Sequence, residues 1–203
     1  MDVSPPQTAD PVRARLLKAA LECFLADDYH RVTTRRIAAM AGANVSMIRY
    51  YFGSKEGLYE EAIRDTLQPL LEALDGPLLS SPEGFADFLN LYYRTMCQRP
   101  EFPKLILKVL ALKQGPGRRF IHQLLERGRA RGARKVAELQ AAGQAAASLD
   151  PDMVRLVFVS LAMTPMLLKE VFEEQMARPL DARFFDDLAR FNGRLIAAGL
   201  APA

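Results

Sequence analysis

Apolar residues recur at helical spacing along the whole chain, and no alternation of apolar and polar residues is long enough to predict a β-strand. Near the C-terminal end, Phe184, Leu188, Phe191 and Leu195 follow one another at intervals of four, three and four residues. This spacing places their side chains on one face of a helix. The sequence therefore predicts an all-α fold of about nine helices.

The composition is typical of a folded globular protein, since half of the 203 residues are apolar and a quarter are charged. That length suits one large domain or two small ones. Two cysteines cannot form a disulfide framework, which favours a reducing compartment. The longest uncharged apolar run, residues 156–168, is too short to span a bilayer and predicts a buried helix. We therefore expect a cytoplasmic protein that does not associate with a membrane.

The 27 residues from 29 to 55 contain five basic side chains and no Asp or Glu, whereas Asp28 and Glu56 stand immediately outside. A carboxylate would repel phosphate, so its exclusion is typical of a surface that faces a polyanion. Charge counts alone fit chance variation on a solvated face equally well. A second basic run, residues 118–135, predicts the solvated face of a long helix, with an additional phosphate or acidic-ligand site as the alternative.

The acid-free window carries the signals of two short helices joined by a tight turn. Thr33 or Thr34 can cap a first helix, which Gly42 ends. A second helix is predicted over residues 45–52, and Ser54 caps the helix after it. Two short helices joined through a glycine-containing turn form a helix-turn-helix unit. We therefore predict a DNA-binding element in this window.

Helical geometry at about 100° per residue divides the second helix into two faces. Val45, Ile48 and Phe52 share one side, which we predict to be buried. The opposite side and its flanks carry no carboxylate; they carry Ser46, Met47, Arg49, Tyr50 and Tyr51. Such a helix can enter the major groove, where Arg suits the O6 and N7 atoms of guanine and hydroxyl groups suit phosphate. Lys55 adds charge beside the next helix N-terminus, which also attracts phosphate.

The residues from Thr33 to Tyr59 read TTRRIAAMAGANVSMIRYYFGSKEGLY, and they follow a helix with the spacing A-x-x-x-F, Ala20 to Phe24. This stretch resembles the TetR family of transcriptional regulators. The family's T-[TV]-x-x-I-A-x-x-A-G beginning and its later aromatic-Phe, Ser, Lys and Leu positions are present. The resemblance covers roughly residues 12–60, and beyond them only the helical pattern and the length agree.

The resemblance implies roles for individual side chains. Thr34 and Arg35 are expected to approach DNA from the first helix of the motif, with Arg35 at a position where some members read a base. The recognition-helix positions and the phosphate-contacting lysine are held here by Ser46, Met47, Tyr50, Tyr51 and Lys55. Arg49 stands where many members have a tyrosine, which removes one phosphate anchor and adds a side chain capable of reading guanine. The operator therefore cannot be inferred from a relative.

The predicted DNA-binding domain needs only residues 10–56. We therefore assign effector binding and dimerisation to residues 57–203. Candidates for an apolar effector cavity, with plain core packing as the alternative, are Phe88, Tyr92, Met96, Leu105, Val109, Phe120 and Met163. Candidates for an isologous dimer interface, beside the apolar helix of residues 153–168, are Phe184, Leu188, Phe191 and Leu195. The resemblance implies that these two helices of each subunit form a four-helix bundle at the dimer interface.

These observations predict a homodimeric repressor that a small apolar or amphipathic molecule releases from a pseudo-palindromic, double-stranded DNA operator. An activator role depends on where the operator lies, so it stays open. The alternatives are a small-molecule-binding or adaptor protein without operator binding, and an all-α enzyme that uses the cavity. No catalytic motif is present, and His30 and His122 lack partners at metal-ligand spacing, so we expect neither an enzyme nor a metal or other cofactor.

Overall fold

The computed structural model describes residues 10–79, 81, 83–111 and 117–202, and all regular structure in these ranges is helical. Ten α-helices are present there, together with a 3-10 helix, Pro77–Leu79. The α-helices are α1 Pro11–Ala26, α2 Thr34–Met40, α3 Ser46–Phe52, α4 Lys55–Asp75, α5 Gly84–Cys97, α6 Phe102–Ala111, α7 Arg118–Ala141, α8 Pro151–Leu167, α9 Lys169–Met176 and α10 Ala182–Leu200. The all-α prediction is confirmed, and α9 is the helix that the sequence pattern did not predict.

The described residues form two compact units. The first contains residues 10–67 and 117–120, and the second contains residues 68–111 and 121–202 apart from the two positions not described. This division follows contacts between residues. The predicted boundary after Glu56 follows function instead, and it stays a prediction.

Side-chain caps define the helix starts of the first unit. Asp10, Thr33 and Ser54 each accept a hydrogen bond from a backbone N–H in the following turn, at 2.9, 3.1 and 3.0 Å. Each bond satisfies a backbone donor that the helix itself leaves without a partner. The predicted caps of α2 and α4 are thereby confirmed, whereas the N-cap residue of α3, Val45, makes no side-chain capping bond.

The second unit is built around the packing of α5 against α10. A Cβ atom at Gly193 would lie 2.3 Å from the Cβ atom of Ala86, so only glycine permits this approach. Beside this crossing, the buried ring of Tyr93 packs on Phe185 with the ring centroids 5.2 Å apart. The two helices therefore meet closely enough to form the core of the unit.

Helix α8 differs from its prediction as a buried helix. Only Ala162 and Met166 are buried along it, whereas Met153, Leu156 and Val157 are exposed in the single chain. Its apolar residues therefore lie on two faces, one packed against the unit and one open to solvent.

Within the described ranges no single helix is long and apolar enough to cross a membrane. Helices α8 and α9 meet that criterion only as a pair, bent by 66°.

Candidate nucleic-acid interface

The turn between α2 and α3 is built as a helix-turn-helix. Ile37 and Ala38 of α2 are buried against the body of the unit, and so is Ile48 of α3, as predicted for Ile48. Gly42 adopts a φ of +57°, a left-handed conformation that glycine reaches without steric cost. The backbone N–H of Ala43 then donates a 2.9 Å hydrogen bond to the carbonyl of Ala38, which closes the turn. The turn sets the angle between α2 and α3.

The buried side of α3 is narrower than predicted. Ile48 is fully buried and Phe52 is half-buried, but the side chain of Val45 is 43% exposed, so its predicted burial is wrong. Val45 is the N-cap residue of α3, ahead of the first full turn. Val45 therefore stands at the end of the helix, where the body of the unit leaves it exposed.

The predicted DNA-contacting side chains lie on α2, α3 and the first residue of α4. The exposed ones are Arg35, Ser46, Arg49 and Tyr50, and the half-buried ones are Thr34, Met47, Tyr51 and Lys55. Tyr50 projects furthest, with 76% of its surface exposed. Arg36, by contrast, forms an ion pair with Asp27. The exposed set offers two guanidinium groups and two hydroxyl groups to a ligand.

Tyr51 is held by a carboxylate from outside the acid-free window. Its hydroxyl donates a hydrogen bond to Asp10, 41 positions away in the chain. The bond raises the pKa of the Tyr51 phenol and lowers the pKa of the Asp10 carboxyl, because it favours the neutral phenol and the ionised carboxylate. The Tyr51 ring also meets Tyr50 edge-on, with ring centroids 4.8 Å apart. No local sequence signal reveals this pairing.

Lys55 is oriented by the loop after α1. Its ammonium group donates a hydrogen bond to the carbonyl of Tyr29 and lies 4.1 Å from the centroid of the Tyr29 ring. Partial burial lowers the pKa of Lys55. The ammonium group therefore has a structural partner in the free protein, and the phosphate contact that the resemblance implies stays a prediction.

Two arginines of α1 support the motif, and sequence reasoning missed both. The Arg15 side chain donates a 3.0 Å hydrogen bond from Nε to the carbonyl of Ala41, beside the turn. The Arg13 guanidinium lies 5.5 Å from the Phe52 ring centroid and 2.9 Å from the carboxylate of Glu61. These contacts tie α1 to the end of α2 and to the last residue of α3, so α1 helps to position the recognition helix.

The predicted effector-cavity residues of the second unit are mostly core residues. Phe88, Met96, Leu105 and Val109 are buried, and Tyr92 and Met163 are half-buried. Phe120 belongs to the first unit, where the Arg64 guanidinium lies 4.9 Å from its ring centroid.

Two cavities in the described part of the second unit have volumes of about 440 and 660 Å³. Both lie beside the C-terminal end of α8, and neither is lined by any of the seven predicted residues. The effector cavity therefore stays a prediction.

The predicted dimer seam is partly open in the single chain. Phe191 and Leu195 are exposed on α10, while Phe184 and Leu188 are half-buried.

In the described ranges, no group of three or more His, Cys, Asp or Glu side chains could hold a metal ion.

A family profile matches the part of the chain that carries this geometry. The profile described as "Bacterial regulatory proteins, tetR family" matches residues 16–62. The HTH-type transcriptional regulator BetI of Escherichia coli O139:H28 is 35% identical over 75 residues, which are 37% of this chain and 38% of BetI. The chain thus matches less than half of that relative's own length.

Solved structures share the fold over nearly the whole chain. The transcriptional regulator FadR from Bacillus subtilis, in complex with stearoyl-CoA, superposes with a TM-score of 0.72 and 16% identity, covering 92% of this chain and 98% of FadR. Salmonella enterica GusR superposes with a TM-score of 0.65 and 18% identity, covering 98% of each chain. At these identities the likeness establishes the fold alone.

Proposed function

We propose that this chain is a regulator of the TetR family of bacterial regulatory proteins, whose profile matches residues 16–62, and that it binds DNA in a sequence-specific way to control transcription. The observation that carries the proposal is the α2–α3 segment, which contains no Asp or Glu of its own and exposes the side chains of Arg35, Arg49 and Tyr50. A recognition helix of this size fits the major groove, and guanidinium groups read guanine there. The DNA-binding domain spans residues 10–56 in this proposal.

The working unit is a homodimer. Leu156 and Val157 of α8 and Phe191 and Leu195 of α10 leave apolar side chains open to water, which a second copy of the same surface would cover. A dimer presents two recognition helices to half-sites about 34 Å apart, so its operator is a pseudo-palindrome.

Residues 57–203 bind a small apolar or amphipathic effector that releases the protein from its operator, so the regulator acts as a repressor. Support comes from FadR of Bacillus subtilis, which shares the fold and was solved with stearoyl-CoA. An effector lowers operator affinity only if it binds the DNA-free conformation more tightly than the DNA-bound one. The apolar side chains predicted for the cavity remain its candidate lining.

The proposal is tested by selecting bound duplexes from fragmented host DNA and measuring their affinity at two salt concentrations, with scrambled duplexes of equal composition as controls. We expect a recovered pseudo-palindrome, preferred over its scrambled version, and affinity that falls steeply with salt. Salt-dependent binding without sequence preference contradicts the operator-specific role. No duplex binding at low salt contradicts DNA binding altogether and favours the adaptor alternative.

A further inference from the structure

Folding introduces a carboxylate beside the recognition helix. Residues 29–55 contain no Asp or Glu, yet the hydroxyl of Tyr51 donates to the carboxylate of Asp10. Asp10 is exposed, so its charge faces solvent rather than the core. The Asp10 carboxylate, at the start of α1, therefore lies beside a helix whose own segment of the sequence contains no Asp or Glu.

The two oxygens of Asp10 have different partners. Oδ1 accepts the backbone N–H of Val12 at 2.9 Å and caps α1, while Oδ2 accepts the hydroxyl of Tyr51. A tyrosine hydroxyl has a single hydrogen to donate. Tyr51 therefore cannot donate to Asp10 and to a DNA phosphate at the same time.

We propose that Asp10 is a determinant of operator affinity that competes with a backbone phosphate for the Tyr51 hydroxyl and so weakens DNA binding. The inference rests on the proposed function. Phosphate and carboxylate are both anionic acceptors of strong hydrogen bonds. Little binding free energy is therefore gained when the Tyr51 hydroxyl exchanges Asp10 for a phosphate. The carboxylate also repels the approaching phosphate.

Asp10→Asn is the variant that separates the two roles of Asp10, which are to cap α1 and to accept the hydrogen bond from Tyr51. Asparagine caps helices as well as aspartate does, so its oxygen keeps the bond to Val12. Its amide nitrogen then replaces Oδ2 and donates to the oxygen of Tyr51, which frees the phenolic hydrogen for phosphate. The matched control is Glu22→Gln, which removes one exposed carboxylate from the same helix without touching Tyr51.

The measurement is the affinity of wild type and variants for the recovered operator duplex at fixed salt. We expect Asp10→Asn to bind about five- to tenfold more tightly than wild type, because a charge-assisted hydrogen bond no longer competes. Glu22→Gln changes affinity much less. In a Tyr51→Phe background, Asp10→Asn gains clearly less than it does in the wild type, because no hydroxyl is left to free and only the charge repulsion is relieved.

Equal melting temperatures of wild type and Asp10→Asn establish that the cap is kept. Unchanged or weaker operator binding by Asp10→Asn overturns the inference alone, as does an equal gain in the Tyr51→Phe background. Failure of the wild-type protein to bind any duplex overturns the proposed function and this inference with it.

Discussion

The hydroxyl of Tyr93 donates a 2.7 Å hydrogen bond to the backbone carbonyl of Leu161, the carbonyl that Pro165 deprives of its helical donor. The buried amide of Asn192 donates in turn to the Tyr93 hydroxyl, at 3.1 Å. One hydroxyl thus links α5, α8 and α10, and it allows α8 to contain a proline without leaving the carbonyl of Leu161 unpaired.

Tyr93→Phe is therefore expected to lower the free energy of unfolding by about 1–3 kcal/mol, because the substitution leaves two polar groups without a partner. Denaturant unfolding measures the loss. Pro165→Ala is the control background, since alanine restores the N–H that an α-helix supplies to Leu161. The cost of Tyr93→Phe must be smaller there; an equal cost in both backgrounds contradicts the role of Pro165.

Arg35→Ala is expected to weaken operator binding by about 1–3 kcal/mol and to relax the preference at one base pair. The physical reason is the loss of an exposed guanidinium at the start of α2, within the segment that contains no Asp or Glu. Binding to a set of single-base operator variants measures both effects. Arg183→Ala, which removes an exposed guanidinium from α10, is the control of equal charge. The base-reading role fails if Arg35→Ala retains the wild-type preference at every position.

Lys55→Ala is expected to weaken binding to all duplexes alike and to reduce the salt slope by about one, as for a lost phosphate contact. It also removes the ammonium group above the Tyr29 ring, so a loss of stability of about 0.5–1 kcal/mol accompanies the change. Affinities at several salt concentrations, together with thermal unfolding, measure the two effects separately. Lower stability with an unchanged salt slope would assign Lys55 a structural role alone.

The helix-turn-helix could be predicted from the sequence because its signals are local. Thr33 and Ser54 cap helices through N–H groups three residues away, and Gly42 supplies the left-handed turn within the same short segment. Helical spacing also predicted that Ile48 is buried. These features depend on neighbours along the chain, which the sequence displays directly.

The features that escaped prediction depend on residues distant in sequence. Tyr93 and Leu161 are 68 positions apart, and Tyr51 and Asp10 are 41 apart. Helical phase placed Val45 on the buried side, but phase does not reveal how far the body of the unit extends past a helix end. Likewise, an apolar residue type did not distinguish core from cavity lining at Phe88 or Met96, because both environments favour the same side chains.

Leu195→Glu is expected to convert the proposed dimer to a monomer, because dimerisation through the α10 seam would bury an unpaired carboxylate. Sedimentation at a concentration where the wild type is dimeric measures the change. Leu107→Glu is the matched control: Leu107 on α6 is 50% exposed and Leu195 is 51% exposed, but Leu107 lies outside the predicted seam. A Leu195→Glu protein that stays dimeric would place the interface elsewhere.

Tyr59→Phe is expected to reduce the loss of stability at alkaline pH. Burial raises the pKa of Tyr59 to about 12, against about 10 in an unfolded chain. The unfolded chain therefore releases the phenolic proton first, so stability from this group is complete below pH 10 and is lost as the pH rises towards 12. At about pH 11 the loss amounts to about 1 kcal/mol.

The measurement compares the free energies of unfolding of wild type and Tyr59→Phe near pH 8 and pH 11. Phenylalanine keeps the edge-on packing against Phe24, whose ring centroid lies 4.6 Å away, but it has no proton to release. Tyr50→Phe, at a tyrosine that is 76% exposed, is the control and should retain the wild-type pH dependence. If Tyr59→Phe loses as much stability as the wild type over this range, other groups account for the alkaline unfolding, because burial of the Tyr59 phenol would then contribute nothing to it.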